Sequence, residues 1–260
     1  MDETKREPAS GTEAAVRVID VLLLFTDGPS TIGVTRIARE LGLSKAVVHR
    51  ILQSLVSRSA LVFDPATRGY RLGPAVTALG ARSLRDSDLR RAALPVLRHL
   101  HAETNETTTL SELVGHERVY IEQLESSQEI RMTVEIGRRF PLHAGASSKA
   151  ILAELPEPAL ETVLTGAKPA LTEQTVIDGD RLRAELATIR ERGAATSSGE
   201  RQTGAASVAA AVRWADGRVV GAISVCGPTM RFDDQTCQRY VPMIREAARE
   251  VSRNLGWREA

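Results

Sequence analysis

The apolar and polar positions in the first quarter of the chain predict three α-helices. The first stripe begins after Glu13 and predicts a helix that stops at Asp27-Gly28-Pro29. A shorter helix is predicted over about 34–41, with Gly42 placed as its C-terminal cap. Ser44 is in position to cap a third helix with a clear apolar face. That face consists of Val48, Ile51, Leu52 and Leu55.

Two short strand-like runs follow the third helix. They cover 60–63 and 69–72, and the segment between them, 64–68, is rich in residues that break regular structure. This pattern predicts a β-hairpin. The order helix, helix, turn, helix, hairpin is that of a winged helix-turn-helix.

Beyond Gly73-Pro74 the chain reads as a helical region up to about Thr104, and then as strands and helices in clusters. The turns Gly115-His116 and Asp216-Gly217 predict two hairpins. The predicted strands are 106–114, 117–124, 130–136, 207–213 and 218–226, and the predicted helices are 147–155, 158–164, 180–192 and 233–254. This arrangement favours an α+β fold for the second part of the chain.

Length and composition agree with a two-domain globular protein. The chain has 260 residues, of which 42% are apolar and 26% charged. Its apolar runs are shorter than the about 20 residues that a membrane span needs, and its polar start carries no signal-peptide pattern. We therefore expect a cytoplasmic protein without membrane contact. Two cysteines, Cys226 and Cys237, are too few for a disulfide framework and lack metal-ligand spacing.

The positive charge is concentrated rather than large. The net charge is only +1, but the segment 34–91 contains eleven Lys or Arg against four Asp or Glu. Such a local excess is what a DNA-contacting module requires.

The predicted third helix carries the candidate DNA-reading residues. Opposite its apolar face it presents Ala46, Arg50 and Gln53, which suit a thymine methyl group, a guanine edge and an adenine edge. Thr35 and Arg36 are placed for phosphate contacts, and Arg68 lies at the wing tip. The predicted DNA-binding residues are Thr35, Arg36, Ser44, Lys45, Ala46, Val47, His49, Arg50, Gln53 and Arg68. The alternative is a solvated helix face in a winged helix that binds protein.

Small side chains on two predicted strands suggest a cavity. The two small faces consist of Ser207, Ala209 and Ala211 on one strand and Ala222, Ser224 and Cys226 on the next. If they point inward, they leave room with sparse polar groups, as small-molecule pockets do. Ser147 and Ser148 begin a helix whose free N–H groups favour an anion such as a carboxylate. The alternative is close packing of sheet against helix.

A set of short motifs extends along nearly the whole chain, from about Glu13 to Leu255. In the first half they are Leu41-Gly42-Leu43-Ser44-Lys45-Ala46-Val47-Val48-His49-Arg50-Ile51-Leu52 and Gly69-Tyr70-Arg71-Leu72-Gly73. In the second half they are Pro141-Leu142-His143-Ala144, Lys149-Ala150-Ile151-Leu152-Ala153, Glu191-Arg192-Gly193, Ser198-Gly199-Glu200, Ser207-Val208-Ala209-Ala210 and the segment 219–228. In this order the motifs resemble the IclR family of bacterial transcription regulators.

The resemblance implies an N-terminal winged helix-turn-helix, a linker helix and a C-terminal GAF-like α/β effector-binding domain. The corresponding division is a disordered tail over 1–12, the DNA-binding domain over 13–73, the linker helix over 74–92 and the effector domain over 93–260. It also implies a homodimer or homotetramer on palindromic double-stranded promoter DNA, more often as a repressor than as an activator.

By resemblance, the effector contacts map onto eight residues. They are Leu142, Ala146, Ser147, Ser197, Ala205, Ser207, Ser224 and Cys226. Family members that bind small oxoacids often carry an acidic residue at the position of Ser197 and bulkier residues near Ala205. The extra room here favours a larger carboxylic acid or derivative, such as an aromatic one.

Two other functions remain open at this stage. The second domain of an enzyme or sensor would turn over a small molecule, and a scaffold would use the winged helix for protein contacts. His143 and Cys226 resemble a nucleophile pair or metal ligands, but no third orienting group stands at a recognisable spacing. We expect no catalytic residue, no metal site and no cofactor, and we interpret Glu200-Arg201 as an ion pair within a loop.

Overall fold

The computed structural model describes residues 12–26 and 28–259. Residues 1–11 of the predicted tail, and Asp27 of the predicted first turn, lie outside the described residues. The chain divides after Ser83 into two compact units, and each is described by itself. The predicted linker, 74–92, contains one whole helix and the start of the next.

The first unit has the predicted order of three helices and a hairpin. Its elements are α1 (Glu13–Leu23), α2 (Val34–Glu40), α3 (Lys45–Ser57), β1 (Leu61–Asp64), β2 (Gly69–Leu72) and α4 (Pro74–Asp86), whose last residues pass the division. Val21, Ile37, Val48 and Leu52 are fully buried in a common core. The wing has an addition that the sequence did not predict, because Ile32 and Tyr70 exchange two backbone hydrogen bonds of 2.9 Å.

The second unit is built on one antiparallel sheet. Its elements are α5 (Asp88–Thr104), β3 (Thr107–Val114), β4 (Glu117–Leu124), β5 (Arg139–Pro141), α6 (Ala146–Ala153), α7 (Glu157–Thr165), α8 (Gly179–Arg192), β6 (Ala195–Ser198), β7 (Ala205–Arg213), β8 (Val219–Pro228), a 3-10 turn (Thr229–Arg231) and α9 (Asp234–Asn254). The strand order is β5-β4-β3-β8-β7-β6. One apolar cluster joins the sheet to α5 and α9, and another joins it to α6, α7 and α8, so the sheet lies between two helical layers.

The prediction of a strand over 130–136 is wrong. Ile130 and Ile136 are 58% and 38% exposed, so their apolar side chains do not mark a buried face. The backbone there bonds to side chains instead of a neighbouring strand, since Gln123 brackets Val134 with bonds of 2.8 and 2.9 Å. The strand that pairs with the side of β4 away from β3 is β5, which begins three residues after this run. The short, polar strand β6 was not predicted.

Candidate nucleic-acid interface and ligand cavity

The predicted DNA-reading face of α3 is exposed on the first unit. Val48, Leu52 and Leu55 are buried against the core, and the hydroxyl of Ser44 caps the helix by accepting the Val47 N–H at 3.3 Å. Of the ten predicted DNA-binding residues, nine are exposed and Val47 is half-buried. Burial of the apolar face therefore turns the predicted polar residues toward solvent.

The positively charged side chains of this surface differ in whether they form ion pairs. The guanidinium of Arg36 pairs with Glu40 one helical turn further, with 2.6 Å between Nε and Oε1. Within the described part of the chain, Lys45 and Arg50 form no ion pair with a carboxylate. They are therefore the cations of α3 that can meet phosphates or base edges without breaking a pair.

The wing tip is fixed by Asp64. Its carboxylate accepts the Ala66 N–H at 2.9 Å and the Thr67 hydroxyl at 2.8 Å. Both bonds favour the ionised form and hold the pKa of Asp64 below its ordinary value, the Thr67 bond more strongly. Arg68 follows with a left-handed φ of 52° and is exposed at the tip of the turn.

A cavity in the second unit lies between the sheet and the start of α6. Seven of the eight predicted effector residues line it, namely Ala146, Ser147, Ser197, Ala205, Ser207, Ser224 and Cys226. The strand register explains this grouping, because Ser197, Ser207 and Cys226 stand directly opposite one another on three neighbouring strands. Leu142 is absent from the lining and lies in the apolar cluster of α6, α7 and α8.

The cavity is small and polar at its walls. Its volume is about 30 Å³, which exceeds the about 10–15 Å³ that a cavity needs to hold one water molecule but is far below that of an ordinary ligand pocket. The hydroxyls of Ser224 and Thr109 are 2.6 Å apart and satisfy each other inside the sheet. On the opposite side, the first N–H groups of α6 precede the first helical bond, from Lys149 to Gly145 at 3.0 Å, so no other described residue occupies them and a ligand can.

Sequence reasoning missed a buried arginine in this wall. Arg118 is only 1% exposed, and its guanidinium donates to the hydroxyls of Ser148 at 2.7 Å, Ser111 at 2.8 Å and Tyr120 at 3.2 Å. Its guanidinium carbon lies 4.4 Å from the centre of the Tyr120 ring. The available signal was the strand period, which places Arg118 and Tyr120 on one face of β4.

The segment Glu200-Arg201 does not form the expected ion pair within a loop. Glu200 reaches back to α6, where it pairs with the buried amine of Lys149 and accepts the Gly145 N–H at 3.1 Å. Lys149 is also paired with Glu185 of α8. Arg201 points to the cavity, and its guanidinium carbon lies 4.6 Å from the centre of the Phe140 ring.

The thiol and imidazole that resembled a reactive pair are poorly suited to catalysis. Burial raises the pKa of Cys226 to about 12, so the thiol is neutral at neutral pH and a weak nucleophile. His143 donates Nε2–H to the carbonyl oxygen of Pro169 at 3.0 Å, and burial lowers its pKa. Among the described residues, no group of three or more His, Cys, Asp or Glu side chains is arranged to hold a metal ion.

Comparison with known proteins decides the family. The profile of the IclR helix-turn-helix domain matches residues 14–65, and that of the bacterial transcriptional regulator IclR C-terminal domain matches residues 81–253. The chain belongs to the IclR family. It is therefore a helix-turn-helix, DNA-binding transcription regulator rather than an enzyme.

Relatives of the IclR family resemble the chain over nearly its whole length. It is 32% identical over 246 residues to the HTH-type transcriptional regulator XynR of Escherichia coli, which is 94% of this chain and 98% of that protein. An IclR transcriptional regulator from Silicibacter has a TM-score of 0.84 at 30% identity, covering 95% of this chain and 98% of the other. These matches confirm the predicted winged helix-turn-helix and α/β effector-type domain.

One solved relative was crystallised with an aromatic acid. It is an IclR homologue from Microbacterium hydrocarbonoxydans complexed with 4-hydroxybenzoate, with 26% identity and a TM-score of 0.75. The match covers 94% of this chain and 99% of that one. In the described part of this IclR-family chain, no helix is long and apolar enough to cross a membrane.

Proposed function

We propose that this chain is a homo-oligomeric repressor that binds promoter DNA through α3 and the wing, and is released by an organic acid bound in the cavity beside α6. The observation that carries the proposal is the lining of that cavity. It combines small side chains, sparse hydroxyls and the free N–H groups at the start of α6, which suit a carboxylate.

The family's usual behaviour and one ligand-bound relative support the mode of regulation and the class of ligand. Repression is the commoner mode in the family that the motifs resemble, and its members act as dimers or tetramers. The relative bound to 4-hydroxybenzoate shows that a protein of this fold can hold an aromatic acid. An effector changes DNA affinity only if it binds the DNA-competent and incompetent states with different affinity. We propose that the acid favours the incompetent state.

The DNA half of the proposal is tested with the chain and a duplex from upstream of its own gene. Replacing both Lys45 and Arg50 by alanine should weaken binding and reduce the slope of log affinity against log salt by about one for each lost phosphate contact. The matched control is Arg218→Ala, which removes an exposed arginine that is paired with Asp216 in the second unit. Unchanged affinity in the double variant would contradict the assignment of α3.

The effector half is tested by titrating aromatic and aliphatic acids into the protein–DNA complex. Ala205→Leu should block the release of DNA because the larger side chain fills the cavity. Ala211→Leu is the matched control, since Ala211 lies on the same strand, is also half-buried, and is absent from the cavity lining. Release by the same acid from both variants would contradict the cavity assignment.

A further inference from the structure

Arg118 is a buried cation whose hydrogen-bond partners are all neutral hydroxyl groups. Its three hydrogen bonds go to the hydroxyls of Ser148, Ser111 and Tyr120, and within the described residues it forms no pair with a carboxylate. A guanidinium has five N–H donors, so two remain for another acceptor. Burial and the nearby charge of Arg201 both lower the pKa of Arg118. A buried charge without a counter-charge is costly, and an anion in the cavity would remove that cost.

Arg201 brings a second positive charge to the same cavity. It is half-buried in the turn between β6 and β7, and its guanidinium stacks on the rings of Phe140 and Tyr120, at 4.6 and 5.7 Å from their centres. The adjacent carboxylate of Glu200 is engaged by Lys149 and the Gly145 N–H. Among the described residues, the cavity lining therefore contains two arginines and neither Asp nor Glu.

We propose that the effector is a dicarboxylic acid, with one carboxylate held by Arg118 inside the cavity and the other by Arg201 at its edge. This inference rests on the proposed function, since it specifies the ligand of the same cavity. The two arginines have different roles because they are buried to different extents. Arg118 compensates a charge that is removed from water, whereas Arg201 remains partly solvated and selects for the second charge.

The size of the cavity assigns a movement to Arg201. A volume of about 30 Å³ does not accommodate a diacid, so a lining side chain must give way. Arg118 is fixed by three hydrogen bonds, whereas Arg201 is held by ring contacts. When Arg201 leaves the two rings, its side chain makes room for the ligand. It then pairs with the second carboxylate and covers the bound ligand.

The first test compares diacids with monoacids of the same carbon skeleton. Isothermal titration calorimetry on the full chain would use isophthalate with 3-methylbenzoate, glutarate with pentanoate, and adipate with hexanoate. In at least one pair the diacid should bind about tenfold tighter or more, as an added charge-assisted hydrogen bond implies. The proposal is overturned if no diacid binds or if the two members of every pair bind equally.

Variants of the two arginines then locate the preference. Arg201→Gln should remove the preference for the diacid while the monoacid still binds, because the lost charge is the one that pairs with the second carboxylate. Arg118→Met should weaken both acids. The control is Arg218→Gln, an exposed arginine at the turn between β7 and β8, which should bind both acids as the wild type does.

The outcomes separate this inference from the proposed function. A folded Arg118→Met variant with wild-type affinity for both acids would mean that Arg118 only organises its three hydroxyl partners, and would overturn the inference. If Arg118→Met fails to fold, Arg201→Gln still decides. Monoacids that release DNA while diacids do not would leave the proposed function standing and this inference wrong. If diacid binding changes in the arginine variants as expected but no diacid changes the affinity for DNA, this inference about binding stands and the proposed function is wrong.

Discussion

Gly73 and Gly80 show how differently two glycines can be constrained. A Cβ on Gly73 would lie 2.3 Å from the carbonyl oxygen of Ser59, whereas one on Gly80 would meet nothing within 4 Å. Gly73→Ala should therefore lower the free energy of unfolding by about 1–3 kcal/mol, because the backbone must separate. Gly80→Ala, in the exposed middle of α4, should raise it by up to about 1 kcal/mol. Urea denaturation of the two variants checks this, and equal stability would contradict the close approach.

At the same scale, the cavity residues divide into predictable and unpredictable ones. Ser207 and Ser224 could be predicted because strand alternation and small size both mark an inward face. Arg118 was missed although the strand period places it on the face of Tyr120, because an arginine in a strand normally faces solvent and its burial depends on hydroxyls from Ser111 and Ser148. Those partners come from β3 and α6, so only the assembled fold brings them together.

Helix α9 depends on a cap that titrates. Asp233 accepts the Thr236 N–H at 2.8 Å, and its bonds to the Thr236 backbone and side chain hold the pKa of Asp233 below its ordinary value. The stabilising contribution is thus complete above the ordinary pKa and is lost as the pH falls through the lowered one. Asp233→Asn keeps an acceptor but cannot titrate. Between about pH 4 and pH 2 the urea midpoint should fall more steeply for wild type than for this variant.

The charge-matched control for this experiment is Asp234→Asn, one residue further along and also exposed. It removes the same formal charge and leaves the capping carboxylate in place. Parallel pH dependence of the wild type and Asp233→Asn would show that the cap contributes equally in both protonation states, contrary to the expectation.

The sequence predicted a helix or strand correctly where its periodic apolar side chains are buried in the core, and not elsewhere. Helix α3 satisfies this condition, because Val48 and Leu52 are both completely buried. The run 130–136 does not, since its backbone is held by Gln123 and its isoleucines stay exposed. Strand β6 has only four residues and a composition that does not favour a strand, so it forms because it pairs with β7. Tertiary contacts override local pattern in both cases.

At the scale of the whole molecule, the order of motifs was more informative than any single one. The basic helix-turn-helix precedes a domain whose small-residue strands meet the start of α6, and each half matches its own family profile. The ion pairs that join Lys149 of α6 to Glu185 and Glu200 were not visible in the sequence, because their partners are 36 and 51 residues away. The pair with Glu200 fixes the turn that carries Arg201 against α6, and the pair with Glu185 joins α6 to α8.

Coupling between the cavity and the DNA-binding face must be reciprocal if one protein carries both sites. An acid that lowers the affinity for promoter DNA by a given factor has its own affinity lowered by the same factor when DNA is bound. Calorimetric titration of the releasing acid into the chain, with and without saturating promoter duplex, should give that factor, which is about 5–150-fold in typical allosteric proteins. The variant with alanine at Lys45 and Arg50 is the control, because the duplex should not change its affinity for the acid. An acid that releases DNA but binds the free and the DNA-bound protein with equal affinity cannot act by binding this protein. That result would refute the assignment of the cavity as the effector site.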